Sequence, residues 1–274
     1  MRWVKVLQEN CSEEGRYLYC IINSGKEKNF GQVGVEDMPV YVVAFNDVGA
    51  VVHSCEAKPY KTAAKEKAEE WILAHQYVID LATEEYGTVI PLTFDTIFKG
   101  NNENLKNWLC KEYNRLKALS AKLEGKAEYG VQIFLENDFA DRIVENNDEV
   151  RRLQKSLENA SSGMAYLLKK KLEERMSLEK HLFIEKHAKE LGAKIEKLVD
   201  GIKLCSSNNR VPEGWKGKQM ILNIACLAQK DKIENLGTLL MQLKKEGFSV
   251  RFTGPWPPYS FVGQLTEPKT AGSG

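Results

Sequence analysis

The sequence predicts an α+β protein built as two domains, and three observations carry that expectation. Short runs with strand periodicity precede two long amphipathic helical patterns within residues 1–125. Residues 126–274 then run strand, long helix, strand, strand, helix, strand. Between the two series, Gly125 follows the last apolar position of the second helical pattern, where glycine ends a helix. The boundary is placed there, giving an N-terminal α+β domain, 1–125, and a C-terminal domain, 126–274.

In the first half, 16–22 (Arg-Tyr-Leu-Tyr-Cys-Ile-Ile) reads as a strand, and 23–34, rich in Gly, Lys and Asn, as a loop. Residues 40–45 and 49–53 read as two strands joined by a tight turn at Asn46-Asp47, hence a hairpin. The stretch Pro59 to Lys61 leads into a helix ending near Ala82, whose apolar positions are Ala64, Ala68, Trp71, Ile72, His75, Val78, Ile79 and Ala82. Residues 86–98 are extended or turn-rich, broken by Gly87 and Pro91. Asn101 and Asn102 are N-cap residues for a helix ending near Leu123, with Leu105, Trp108, Leu109, Leu116, Leu119 and Leu123 as its buried stripe.

In the second half, 127–135 is a strand, 147–159 a helix, and 163 to about 198 a long charged helix separated from it by Ser161-Ser162-Gly163. Residues 202–206 form a strand and 208–217 a loop. Residues 219–229 are apolar on both strand faces, so that strand is central in its sheet. Asp231 caps a helix carrying Ile233, Leu236, Leu240 and Leu243, ended by Gly247. A last strand, 248–252, is stopped by Gly254 and Pro255, because proline lacks the N–H a sheet ladder needs. This order is that of a modified ferredoxin-like domain with an enlarged helical insertion.

The chemistry-bearing motifs are few. No phosphate loop, dinucleotide fingerprint or nucleophile elbow is present. The four histidines do not pair: His181 and His187 are six apart on a helix, too far for one metal, and His75 lies in an apolar stripe. The six cysteines (Cys11, Cys20, Cys55, Cys110, Cys205, Cys226) show no C-x-x-C spacing and read as reduced structural thiols. Glu69-Glu70, Glu84-Glu85 and Glu173-Glu174 are adjacent only in sequence, since neighbouring helix residues point about 100° apart. Within the long helix, Leu168, Leu172, Met176, Phe183, Leu191, Ile195 and Leu198 line a seam for a partner or for the protein's own core. A net charge of +1 gives no field for nucleic acid, and no run is long and apolar enough for a membrane span. With no signal-peptide pattern after Met1, an intracellular protein is expected. No catalytic, metal or cofactor-binding residues are assigned.

Several segments resemble those of gas vesicle protein family F/L. Thr253-Gly-Pro-Trp-Pro-Pro-Tyr-Ser-Phe261 is similar to that family's C-terminal signature, and 89–98 (Val-Ile-Pro-Leu-Thr-Phe-Asp-Thr-Ile-Phe) to its central segment. His75, Gly163-Met-Ala-Tyr-Leu167 and Tyr129-Gly-Val-Gln-Ile133 match in the same order, so the resemblance runs from about Tyr17 to Val262. Thr93 and Asp95 stand where the family often has Arg and Gly. The resemblance implies a non-enzymatic accessory or minor structural protein without a cofactor. It would bind the hydrophobic main shell protein and limit its aggregation during nucleation or assembly. Other accessory proteins are further partners; nucleic acid and lipid membrane are not. The implied location is the gas vesicle, after a cytoplasmic stage.

The partner-binding candidates are Trp256, Tyr259 and Phe261, presented by a rigid proline-rich segment, and Leu92, Phe94 and Phe98 in the central segment. The competing role for both groups is packing inside the protein, as large aromatics are mostly buried. Two other functions are considered. One is a ferredoxin-like small-ligand or regulatory binding protein using the 208–217 loop. The other is a hydrolase pairing His75 with Glu69 or Asp80, which lie on no shared stripe of useful spacing.

Overall fold

The strand expected at 16–22 is an internal strand of the first of two sheets in the computed structural model of the chain, which describes residues 13–136, 147–205, 213–215 and 218–263. The chain divides into two compact units. One comprises Met1–Lys126 with Pro257–Gly274, and the other Ala127–Trp256. The proline-aromatic tail is therefore split at Trp256, and residues 257–263 group with the N-terminal unit rather than with the second half of the chain.

In the first unit β1 (Glu14–Ile22) is buried at every position but its first. Its apolar and aromatic residues face cores on both sides. β2 (Asn29–Gln32), β3 (Pro39–Phe45) and β4 (Val48–Glu56) follow, then α1 (Lys65–Tyr86), β5 (Ile90–Pro91), β6 (Ile97–Lys99) and α2 (Asn102–Leu123). The sheet runs β2-β3-β4-β1-β5, with β6 also paired to β1. The β3–β4 hairpin closes on Asn46-Asp47, with Phe45 opposite Val48 and Asn46 at φ 51°, a left-handed conformation asparagine tolerates. β2, β5 and β6 were not expected: at four, two and three residues they are too short to show a period.

The helices cover opposite faces. Val40 and Val42 share a core with Trp71, Val78, Ile79 and Ala82 of α1. Tyr41, between them on the strand and so on the other face, donates from its hydroxyl to Asn102 Oδ1 (3.1 Å) at the start of α2. Asn101 caps α2 in a reciprocal box. Its side chain accepts from the Asn104 N–H (3.0 Å) while Asn104 Oδ1 accepts from the Asn101 N–H (3.1 Å). Asn102 is not the cap; its Oδ1 takes the Arg16 Nε–H (2.5 Å) as well as Tyr41. Gly125 adopts φ 70° just past the helix, as a C-terminal glycine should.

The second unit contains β7 (Lys126–Glu136), α3 (Asp148–Glu158), α4 (Ser162–Glu196), β8 (Gly201–Leu204), β9 (Lys218–Gln229), α5 (Ile233–Lys245) and β10 (Ser249–Trp256). Its sheet runs β10-β7-β9-β8, so β9 is internal, as its two apolar faces require. The core gathers Val131, Ile133, Leu135, Ile224, Cys226, Leu236, Leu240 and Leu243 with Leu191 and Ile195 of α4. Asn147 caps α3. The helix α5 ends in a Schellman motif: the Phe248 N–H reaches the Leu243 carbonyl (3.1 Å) and the Gly247 N–H the Lys244 carbonyl (3.3 Å), with Gly247 at φ 95°.

Two local expectations are corrected. Asp231 does not cap α5, because the chain enters that helix through a 3-10 turn, Lys230–Lys232, and Lys232 takes the N-cap position without a side-chain cap bond. Nor do Gly254 and Pro255 end the last strand. Pairing with β7 slips between Thr253 and Trp256 and resumes with Trp256 opposite Glu128. Because β10 is the outer strand of its sheet, proline at such a bulge costs no internal ladder bond.

Candidate functional site

The central 89–98 segment is held by a buried network of histidines and tyrosines that begins on β1. Tyr17 and Tyr19 are alternate residues and point to the same face, toward α1. His75 lies one helical turn from Trp71 and Val78 on the buried stripe of α1. Its Nε2 sits 3.0 Å from the Leu92 carbonyl, which only accepts, so Nε2 carries the proton. Nδ1 is then an acceptor and takes the Tyr17 hydroxyl at 2.9 Å. The same hydroxyl oxygen accepts the Asp95 N–H (3.1 Å). Each partner of the histidine is thereby satisfied with the ring neutral.

A second histidine repeats the arrangement. His53 lies opposite Tyr17 in the β1–β4 register and stacks on its ring at 4.8 Å. Its Nδ1 is 2.7 Å from the Tyr19 hydroxyl and its Nε2 3.0 Å from that of Tyr60. Tyr19 also accepts the Val35 N–H (2.9 Å), and the Tyr60 N–H donates to Asp95 Oδ1 (2.9 Å). Burial pushes both imidazoles down to about 4, and desolvation raises the Tyr17, Tyr19 and Tyr60 phenols well above their ordinary value. The histidines and tyrosines of the network are neutral at neutral pH. Asp95 adopts φ 67°, a left-handed conformation at which glycine is equally at ease. Thr93 bonds to Thr96.

The six sequence-derived contact residues separate into distinct environments. Leu92 is buried, with its N–H on the Tyr19 carbonyl (2.9 Å). Phe94 is half-buried, edge-on to Tyr17 and His75. Phe98 is buried beside Trp108 of α2, ring centres 6.3 Å apart. Tyr259 is half-buried against the α1-side core and donates to Gln76 Oε1 (3.0 Å). Phe261 is buried. Trp256 alone of the six is mostly exposed, at 52%. Close to it on β10, Phe252 is 40% exposed and stacks on Tyr129 at 5.6 Å. The alternation of Phe248, Val250 and Phe252 with polar residues predicts a half-buried strand; Val250 is buried, but Phe252 is exposed.

The other readings find little support among these groups. Both ring nitrogens of His75 are taken by Tyr17 and Leu92, and Asp80 receives Gln76 instead. Most of the 208–217 loop lies outside the described residues. Among the described residues no group of three or more His, Cys, Asp or Glu is placed to hold a metal, and no helix is long and apolar enough to cross a membrane. What the geometry defines is a packed protein with an exposed aromatic sheet edge.

That class of protein has known members. The structure resembles the crystal structure of the gas vesicle protein GvpF from Anabaena sp. PCC7120, with a TM-score of 0.66 at 17% identity, covering 92% of this chain and 99% of that one. The family model described as gas vesicle synthesis protein GvpL/GvpF matches residues 15–263. Gas vesicle protein L1 of Halobacterium salinarum is 32% identical over 261 residues, 93% of this chain and 92% of the relative. Gas vesicle protein L of Haloferax mediterranei is 30% identical over 292 residues, 94% and 90% of the two chains. The chain belongs to the GvpL/GvpF family of gas vesicle proteins.

Proposed function

We propose that this protein is a non-enzymatic accessory factor that binds the hydrophobic main shell protein and keeps it from aggregating until it is built into the vesicle wall. The carrying observation is an exposed aromatic edge, Trp256 with Phe252, on the outer strand of a sheet in a chain of this family. An unpaired edge strand offers backbone hydrogen bonds, and flanking aromatics offer apolar surface, to an extended, aggregation-prone segment. Phe94 and Tyr259, half-buried, form a secondary candidate patch on the first unit. Leu92, Phe98 and Phe261 would act from beneath, by holding these segments in place. Other accessory proteins of the vesicle are further proposed partners, and the vesicle, reached from the cytoplasm, is the proposed location.

The second unit is read as a ferredoxin-like domain. Its strand order, with the last strand beside the first and the third beside the second, supports this, as does the placement of helices between first and second and between third and fourth strands. Co-expression with the main shell protein tests the function. The proposal expects co-purification and more soluble shell protein, both lost in Trp256→Ala while the variant keeps its helical circular-dichroism signal. No association, and no gain in soluble shell protein, would overturn it.

A further inference from the structure

The long helix α4 carries an apolar stripe that its own core leaves uncovered. The inward residues Leu191 and Ile195 are buried, and Phe183 packs on the same core. These belong to the seam expected from sequence. Met164, Leu167, Leu178 and Leu182 lie on a different side and are 53%, 61%, 47% and 49% exposed. At ~100° per residue, positions 164, 167, 171, 174, 178 and 181 fall within one band about 100° wide, and Leu182 lies at the edge of the band that Met164 occupies. The two middle positions are Lys171 and Glu174, both exposed.

This stripe is complementary to its own reverse. Turned end for end about the midpoint between Leu172 and Glu173, Leu167 falls on Leu178, Met164 on the His181–Leu182 pair, and Lys171 on Glu174. A parallel copy would instead set Lys171 against Lys171 and Glu174 against Glu174, a like-charge arrangement. The nearby cation Arg175 is engaged within the chain by Glu149 of α3 (2.9 Å) and by Glu179 (2.5 Å). It thus anchors α3 to the helix and leaves the Lys171–Glu174 line as the outward charge pattern.

We propose that α4 pairs antiparallel with α4 of a second copy of this chain about a two-fold axis, through Met164, Leu167, Leu178 and Leu182, with two reciprocal Lys171–Glu174 ion pairs at the centre. The occupant is a second copy because Leu167 and Lys171 meet their complements, Leu178 and Glu174, on the stripe itself, and Met164 meets His181 beside Leu182. That is the condition for a closed, isologous interface. The central charged layer fixes orientation and register, as a polar layer does in coiled coils.

Sedimentation of the full chain over about 1 to 100 μM tests this, a range in which a contact of this modest size would be populated. The expected mass rises from 31.1 kDa toward twice that value. Lys171→Glu or Glu174→Lys alone places like charges together twice and should weaken the dimer about tenfold or more. The double variant K171E/E174K should restore it, an outcome only the antiparallel register allows. Leu167→Glu with Leu178→Glu should leave a monomer with an unchanged far-ultraviolet dichroism spectrum. A wild type that stays monomeric throughout would overturn the proposal. So would a dimer indifferent to the leucine pair, or a charge swap that fails to recover association.

Discussion

Lowering the pH from 7 to 5 should destabilise the first unit through His53 and His75. Folded, both imidazoles are neutral with pKa values near 4, against about 6.5 in an unfolded chain. Between these values the unfolded chain binds more protons than the folded one, so stability falls as pH falls through 6.5 toward 4 and is fully present above 6.5. Linkage over the two pH units gives about 2 kcal/mol for each histidine and about 4 kcal/mol for both, a large share of a typical domain's stability. The cause is geometric as well as dielectric. A second proton on His75 Nδ1 would confront the Tyr17 hydroxyl that now donates to it and that already accepts the Asp95 N–H. Urea unfolding at pH 7 and pH 5 measures the effect. Glutamine at position 75 can accept from Tyr17 and donate to the Leu92 carbonyl without titrating. His75→Gln should therefore lose about half of the pH dependence, whatever it costs at pH 7, and His53→Gln the other half. Equal stability at both pH values, or variants as pH-sensitive as the wild type, would refute the reasoning.

Other perturbations separate core from surface. Phe98→Ala removes a buried ring against Trp108 and should cost about 3 to 5 kcal/mol in chemical denaturation, whereas Trp256→Ala at a half-exposed site should cost about 1 kcal/mol or less and show itself in partner binding. Gly254→Ala should destabilise the second unit by more than about 1 kcal/mol, because φ is 118° and a Cβ would sit 2.7 Å from the Glu128 carbonyl oxygen; hydrogen exchange along β7 should rise. Asn101→Ala, losing its side of the capping box, should cost about 1 kcal/mol and lower the thermal midpoint accordingly.

The elements legible in the sequence were those whose burial imposes a period. The two 22-residue helices α1 and α2, the β3–β4 hairpin and the two-sided strand β9 all announce themselves by apolar spacing. What stayed hidden depends on partners far away in the chain. β5 and β6 exist only because β1 pairs with them. The Tyr17–His53 stack depends on a strand register that residue types alone do not specify. His75 was visible as a buried position, but its roles toward Tyr17 and Leu92 were not. Pro255 misled in an instructive way. It excludes a central strand, but the same rule permits an edge, and which strand is the edge is a property of sheet order.

The division at Trp256 gives the proline-aromatic signature two separate tasks. Up to Trp256 it completes the outer strand of the second unit, and from Pro257 it belongs to the first, where Phe261 and Val262 are buried and Tyr259 reaches Gln76 of α1. The second unit is thus inserted between α2 and a C-terminal segment that the first unit needs for its own core. Its two ends lie close together, because Trp256 is paired directly opposite Glu128 on β7, and paired residues of antiparallel strands are about 5 Å apart. Close ends are what a tolerated domain insertion requires. Replacing Ala127–Trp256 by a short glycine-serine linker should therefore leave a first unit that still unfolds cooperatively and keeps the histidine-dependent pH response. Truncation after Trp256 in the full chain should do the reverse. It should strip Tyr259, Phe261 and Val262 from the first unit and lower its stability by several kcal/mol, on the scale of losing large buried side chains, while hydrogen exchange in β9 stays slow. If the excised protein is unfolded, or if truncation loosens both units equally, the two are one cooperative structure and the insertion view fails.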